Sequence, residues 1–544
     1  MLNLLIISFL SIIIISPLGY VVLKNDNKDF LNYSISTIYG IILISFISLV
    51  LNFFFPLSKL INTLLIIIPI FIIYKKPSFF LNLVFIKFCI IGTLIIFLLI
   101  SKTNVYRPDA YLYHLPFLDI LNNNKIIFGL SNLHYRFGHI SIMQYSSAIF
   151  NNFIFYDKGI FLPAAIIATA VIINFFTQLF SYIKSKKINF HFFYIFFVVI
   201  FIIYKMNRFS EYGNDAPVHF LFFLLISEII LNFEKKKKIF SNLILISVFI
   251  IMNKISMSFA VLLPFVFERK FDKNFLKDKK NYLTFIFLFL WCFKNLIISG
   301  CVFYPISKSC ISNLPWTDIQ TTKKVSIEGE AWSKGWNNVK EPAYFDQKIY
   351  IKKFNWIKTW IDGHFKKITS ILYPYLIFIF FITIYLRFNS KKKILKKHYK
   401  NEIKLLLILT IFTIVWLTKL PLFRFGYSYL ISLIAIIFAI YCSTLDNFKN
   451  KKFFTGILIF AIIVFCLKNS IRIVGFNNNH KANIFPKIRL FESKSELKEI
   501  NLNGFKYFVS PSECGYGYAP CTHYKNLKLR STNYYSYIGL LHTK

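Results

Sequence analysis

Two stretches of the chain hold the side chains best suited to chemistry. The first, RPDAYLYHLPFLDILNNN, carries Asp109 and His114, and it continues as FGLSNLHYRFGHISIMQY with His134, Arg136 and His139. The second, MNRFSEYGNDAPVHF, carries Glu211 and Asp215. Asp109 precedes a short amphipathic run in which Tyr113, Pro116, Phe117, Ile120 and Leu121 share one side. Its carboxylate is expected either to cap a helix lying at a membrane interface or to serve there as general base toward an acceptor hydroxyl. Arg136 offers a planar fork of donors that matches phosphate oxygens, the plainer alternative being an interfacial arginine drawn to anionic lipid. Asp215 is followed by Pro217 and an apolar run, which would hold it against the membrane edge.

Two further cations belong with these acids. Lys254 lies between FIIMN and ISMSFAVLL, and Arg424 lies in KLPLFRFGYSYL. Cations beside apolar runs either snorkel to headgroups or face a polar cavity, and a phosphate leaving group would use them in the second case. Unpaired charge beside lipid is costly, so Asp109, Asp215, Arg136, Lys254 and Arg424 are expected to surround one outward-facing cavity with Asp109 at its rim. The histidines form no HExxH pattern and have no CxxC partner, so no metal site is expected. A divalent cation is compatible with the two carboxylates, but no motif calls for one, and the cofactor stays unassigned.

The elements that must hold these residues are membrane helices. Of 544 residues 56% are hydrophobic, 66 are Phe, and mean hydropathy is +0.56, more apolar surface than a soluble core needs. Apolar runs of about 17 to 22 residues recur, matching roughly 20 residues for a helix crossing a bilayer. Strand-like alternation is absent, and lipid leaves helices as the remaining way to satisfy the backbone. Spans are expected near 2–23, 34–56, 59–74, 80–101, 159–183, 189–204, 216–233, 239–252, 255–267, 282–298, 368–386, 403–418, 427–444 and 453–467, about 14 in all. The run from Leu2 to Val22 lacks a basic n-region and a small-residue cleavage site, so it reads as a first span and not a removed signal peptide.

Charge sets the orientation. Alternate gaps hold basic clusters, at Lys24 and Lys28, Lys75 and Lys76, Lys184 to Lys187, Lys235 to Lys238, Arg269 to Lys280, Arg387 to Lys400 and Lys449 to Lys452. The positive-inside rule makes these gaps cytoplasmic, and the net charge of +40 follows from them without invoking nucleic acid. Both termini and three long polar segments then lie outside: a first loop 102–158, a second loop 299–367 and a tail 468–544. Membrane portions at 1–101, 159–298 and 368–467 complete the chain. The region 239–267 is critical, because reading it as one helix instead of two would invert everything downstream. Cys89, Cys292, Cys442 and Cys466 read as packing residues. Cys301 with Cys310, and Cys514 with Cys521, are local pairs in outer segments where disulfides form, and Cys514–Cys521 should close a small loop between strands at 505–510 and 526–530.

Taken together, DAYLYHLP at 109–116, GLSNLHYRFG at 129–138, Asp215 in GNDAP, KNLIISGCVFYPI at 294–306, WLTKLPLFRFGYSYL at 416–430 and CGYGYAPCTHY at 514–524 resemble a bacterial family of multi-pass proteins that is itself similar to glycosyltransferases of the GT-C fold. The resemblance implies an all-α polytopic protein with a GT-C-like core and a small extracytoplasmic α/β tail, in a bacterial inner membrane. It implies transfer of a sugar from a polyprenyl-phosphate carrier to a cell-envelope glycan or lipid acceptor. By that resemblance Asp109 would be the catalytic base or acceptor-binding carboxylate, Asp215 the second acidic residue at the catalytic site, and Lys254 and Arg424 the binders of the carrier phosphate; His114 and Arg136 stand beside them as candidate substrate- or phosphate-binding residues from their own chemistry and position. Its partners would be membrane lipid, lipid-linked sugar and the acceptor. The chain differs from a typical GT-C enzyme in having four apolar spans before Asp109 instead of one, and in having Ala110 where an acidic doublet would continue. Competing readings are an envelope-polysaccharide polymerase or ligase, a transporter and a non-catalytic scaffold.

Overall fold

The computed structural model describes all residues except 104–108, 208–214, 236–239, 268–277, 391–398, 446–449, 476–496, 503–504, 525–526, 528, 531–538 and 541–544. Glu211 and most of the basic gaps at 236–238, 269–277 and 391–398 lie outside the described residues.

The chain is a multi-pass helical membrane protein with a small C-terminal sheet. Among the described residues 10 helices are long and apolar enough to cross a membrane, beginning with Leu2–Leu23, Phe30–Asn52 and Leu83–Ile100 and ending with Lys451–Gly475. Phe190–Lys205, Phe240–Asn253 and Ile255–Phe267 are shorter apolar helices, and Lys59–Lys75 has 17 residues. Burial accounts for two of the short ones, Phe190–Lys205 and Phe240–Asn253. Phe190–Lys205, with 16 residues, reaches about 24 Å, yet its residues from Phe190 to Ile203 are buried. Its ends therefore meet other protein segments instead of bare lipid. The outermost helices expose large apolar side chains, such as Phe380, Phe381, Ile411 and Phe460, where hydrocarbon would cover them.

Polar residues at the gaps start the helices. The side chains of Asp29, Ser58, Asn82, Asn189 and Asp278 accept from backbone N–H groups two or three residues on. The cap at Asp29 also accounts for a shift: the second span, expected at 34–56, runs from Phe30 to Asn52, because a hydropathy window does not sense a cap. The first two spans pack closely through Gly19 and Gly40. A Cβ on either would collide with the other helix's backbone at Ser36 or Ile15.

The region 239–267 is a hairpin. Phe240 packs on Phe265 at 5.4 Å, so the two segments run back alongside each other, and Phe233 of the preceding helix lies 5.1 Å from Phe267. Lys254 sits at the apex with extended backbone, φ −153° and ψ 113°. Antiparallel packing then separates two ends of the bundle. At one end Tyr20 donates to Asp26 at 2.6 Å and Lys76 pairs with Asp26 at 3.5 Å. Lys404 reaches the carbonyl of Val266 there at 2.9 Å. At the other end Gly129 N–H donates to Ile297 at 2.9 Å, and Trp360 Nε1 to Pro421 at 2.9 Å.

The tail contributes a three-stranded sheet in which Phe505–Val509 pairs antiparallel with Lys498–Leu502 and parallel with Cys521–Thr522. Leu529–Arg530 pairs separately with Gly539–Leu540. Cys514 is joined to Cys521, and Cys301 to Cys310.

One expectation fails at this level. The amphipathic run after Asp109 forms the helix Leu115–Asn123, but its residues from Leu115 to Asn122 are all buried. Its polar face is covered by the tail: Gly517 N–H donates to Asp119 Oδ2 at 2.9 Å, and Tyr516 Oη to Asn122 Oδ1 at 3.0 Å. The helix is therefore an internal one and does not lie on lipid.

Candidate functional site

Asp109 opens a π-helical turn, Ala110–His114, that leads into Leu115–Asn123. Its backbone is already helical (φ −54°, ψ −33°) and its side chain makes no capping bond. The carboxylate instead accepts from Arg136 Nη1 at 2.8 Å. Arg136 is held from two more sides. Its Nε donates to Tyr135 Oη at 3.0 Å, and its guanidinium lies 4.8 Å from the centre of the Tyr113 ring.

Asp215 begins the helix Asp215–Lys235, and its carboxylate pairs with Lys254 Nζ from the hairpin apex. Lys254 also donates to the carbonyl of Arg424 at 3.1 Å. Arg424 stands between the acids, with Nη2 3.8 Å from Asp109 and Nε 3.9 Å from Asp215. Trp332, from the helix Ile319–Ser333 of the second loop, places its ring 5.3 Å from the guanidinium. Arg424 sits at the start of Phe423–Ser443, which approaches Lys400–Lys419 closely because Gly426 lies flat on the Trp416 ring, where a Cβ would not fit. His219 Nε2 bonds the Arg424 carbonyl at 3.0 Å and Ser256 Oγ donates to that of Phe425 at 3.1 Å.

The five charged residues anticipated from sequence thus meet in one cluster. Three cations against two carboxylates leave it one positive charge, which suits an anionic ligand. Exposure falls inward from Arg424 at 41% and Asp109 at 34% to Lys254 at 13%. The acids and bases contact one another directly. A groove of about 600 Å³ lies elsewhere on the second loop, lined by Lys323, Lys324, Lys348, Trp336 and Phe345 among others. His114 lies within electrostatic reach of Asp109, Asp215, Arg136 and Arg424; its Nδ1 is 3.2 Å from Gln144 Nε2, and burial pushes its pKa down to about 4.

The other two histidines do not join. His134 is buried against His523 and Tyr524 of the tail, at 4.8 and 5.1 Å, and His139 packs edge-on to Tyr304. Among the described residues no group of three or more His, Cys, Asp or Glu could hold a metal ion. Sequence reasoning passed over Gln144, His219, Asn253, Trp332 and Asp119. Only His219 carried a signal, as a histidine inside an apolar run.

Residues 1–431 match the family described as Domain of unknown function (DUF8201), and the chain belongs to that family. Asp109, His114, Arg136, Asp215, Lys254 and Arg424 all fall inside the matched span, whereas Cys514 and Cys521 lie beyond it. Neither a curated protein nor a solved structure matches the chain.

Proposed function

We propose that this protein is a GT-C-like glycosyltransferase of a bacterial inner membrane, moving a sugar from a polyprenyl-phosphate carrier to a cell-envelope glycan or lipid acceptor. The observation that carries the reading is the interleaving of two carboxylates with three cations at one end of an apolar bundle. Fourteen segments would traverse the bilayer, counting the four shorter apolar helices. The cluster lies at the end away from Lys24, Lys75, Lys76 and Lys184 to Lys187, so the positive-inside rule makes it extracytoplasmic, and the tail with it.

In this reading Asp109 Oδ1 stays with Arg136, and Oδ2 takes the proton of an acceptor hydroxyl as that oxygen bonds to the anomeric carbon. The bond from the anomeric carbon to the phosphate oxygen breaks, and the departing polyprenyl phosphate gains negative charge beside Arg424 and Lys254. Asp215 holds Lys254 in place. The polymerase or ligase reading would rely more on arginines in the long outer loops, and Arg136 there is already engaged by Asp109.

Asp109→Asn should lower sugar transfer by about 10²-fold or more while the protein still accumulates in the membrane. Near-normal transfer by this variant, in a strain where deleting the gene abolishes transfer, would reject the catalytic role.

A further inference from the structure

His114 is the member of the cluster whose proton the surrounding hydrogen bonds locate. Ser141 and Gln144 form a capping box at the start of the helix Ile142–Ile149: Met143 N–H donates to Ser141 Oγ at 3.2 Å, and Ser141 N–H donates to Gln144 Oε1 at 3.2 Å. With its carbonyl oxygen turned to that N–H, Gln144 presents its NH₂ group to His114 Nδ1 at 3.2 Å. An amide NH₂ donates and does not accept, so Nδ1 is the acceptor and the ring proton sits on Nε2. Nε2 makes no hydrogen bond among the described residues. The ring feels Asp109 and Asp215 on one side of the balance and Arg136 and Arg424 on the other.

The same box braces the opposite half of the cluster. Ser141 Oγ donates to Asn253 Oδ1 at 2.9 Å, and Asn253 Nδ2 donates to the carbonyl of Phe249 at 2.9 Å. Asn253 is the residue before Lys254. One capping box therefore ties the imidazole beside Asp109 to the lysine beside Asp215.

We infer that Gln144 is a positioning residue that holds His114 as a neutral Nε2–H donor, so that His114 gives a hydrogen bond to an oxygen of the bound sugar or phosphate and takes no proton in the reaction. The identity of that oxygen rests on the transferase reading; the fixed tautomer does not. The lowered pKa agrees with a ring that stays uncharged across the physiological range.

Two measurements test this on the full-length chain. With ¹⁵N-histidine labelling in lipid nanodiscs, and His114 assigned by its loss in His114→Gln, the His114 signals should report an acceptor Nδ1 and a protonated Nε2, unchanged from about pH 5.5 to 8. A proton on Nδ1, or an imidazolium in that range, overturns the inference. In transfer assays His114→Gln, whose amide can still donate near the Nε2 position, should stay within about tenfold of wild type, while His114→Ala falls about 10²-fold. Equal losses in both, with both accumulating in the membrane, overturn the donor role. Gln144→Glu places a carboxylate at Nδ1 that would hold an imidazolium, and should add an ionisation to the pH–rate profile between about pH 6 and 8. Gln144→Ala should add none, and an unchanged profile in the glutamate variant counts against the positioning role. If the wild type transfers no sugar, the transferase reading fails and the nitrogen signals still decide the tautomer.

Discussion

At the residue scale, the two arginines of the site have different duties. Arg136 is engaged on three sides, by Asp109, the Tyr135 hydroxyl and the Tyr113 ring. Arg424 faces both acids at distances too long for hydrogen bonds, and its buried Nε has no hydrogen-bond partner among the described residues. A phosphate could therefore take Arg424 without breaking a bond already made. In a double-mutant cycle on thermal stability in detergent, Arg136→Gln with Asp109→Asn should show a coupling of about 1 kcal/mol, reduced by the partial exposure of both groups. The cycle of Arg424→Gln with Asp109→Asn should be near zero. Binding of polyprenyl phosphate should order them the other way, with Arg424→Gln weakening it by about tenfold or more. Strong coupling of Arg424 to Asp109 would mean that it too is structural.

At the element scale, the first loop and the tail make one unit. The buried Asp119 carboxylate is surrounded by the backbone N–H groups of Gly517, Tyr518 and Ala519, yet burial outweighs them and lifts its pKa from 3.8 to about 6. A carboxyl that binds its proton more tightly folded than unfolded loses stability as pH rises between those values, and the gap corresponds to about 3 kcal/mol. Protection of the 514–522 segment from hydrogen exchange should accordingly fall from about pH 4 to 6, and flatten above, relative to Asp119→Asn. A difference between the two proteins that does not vary with pH would refute the shift. Nothing in the sequence marks this contact. LPFLDILNN reads as a surface amphipath because the segment that covers it comes nearly 400 residues later. By contrast the caps at Asp29, Asn82 and Asn189 bond neighbours within three residues, a local signal that a hydropathy window passes over.

For the whole molecule, alternation of lysine-rich gaps carries most of what the sequence can say. It assigns Asp109, Asp215, Lys254 and Arg424 to one end, and the hairpin at Lys254 keeps that alternation in step. An end is not a distance, however. Which cation serves which acid depends on the π-turn at 110–114 and the fit of Gly426 on Trp416, neither of which has a periodic signature. The orientation itself is open to a direct check. With single cysteines placed at Lys323 and at Lys186, a membrane-impermeant maleimide should label the first and not the second in intact cells. Labelling of position 186 alone would turn the molecule over and put the cluster in the cytoplasm.

The contacts between loop and tail also impose an order in time. Asp119 receives the N–H of Gly517 across 398 positions, and Leu133 receives the Thr522 hydroxyl across 389. Synthesis at about 5–20 residues per second separates such partners by roughly 20 to 80 s. Throughout that interval the first loop has been made while the backbone donors to its acid have not, and every span between must be inserted before the two can meet. A ribosome that stops after residue 500 would leave the acids and cations of the cluster complete in sequence but the helix Leu115–Asn123 uncovered. A cell could tell finished copies from unfinished ones by that exposed face alone.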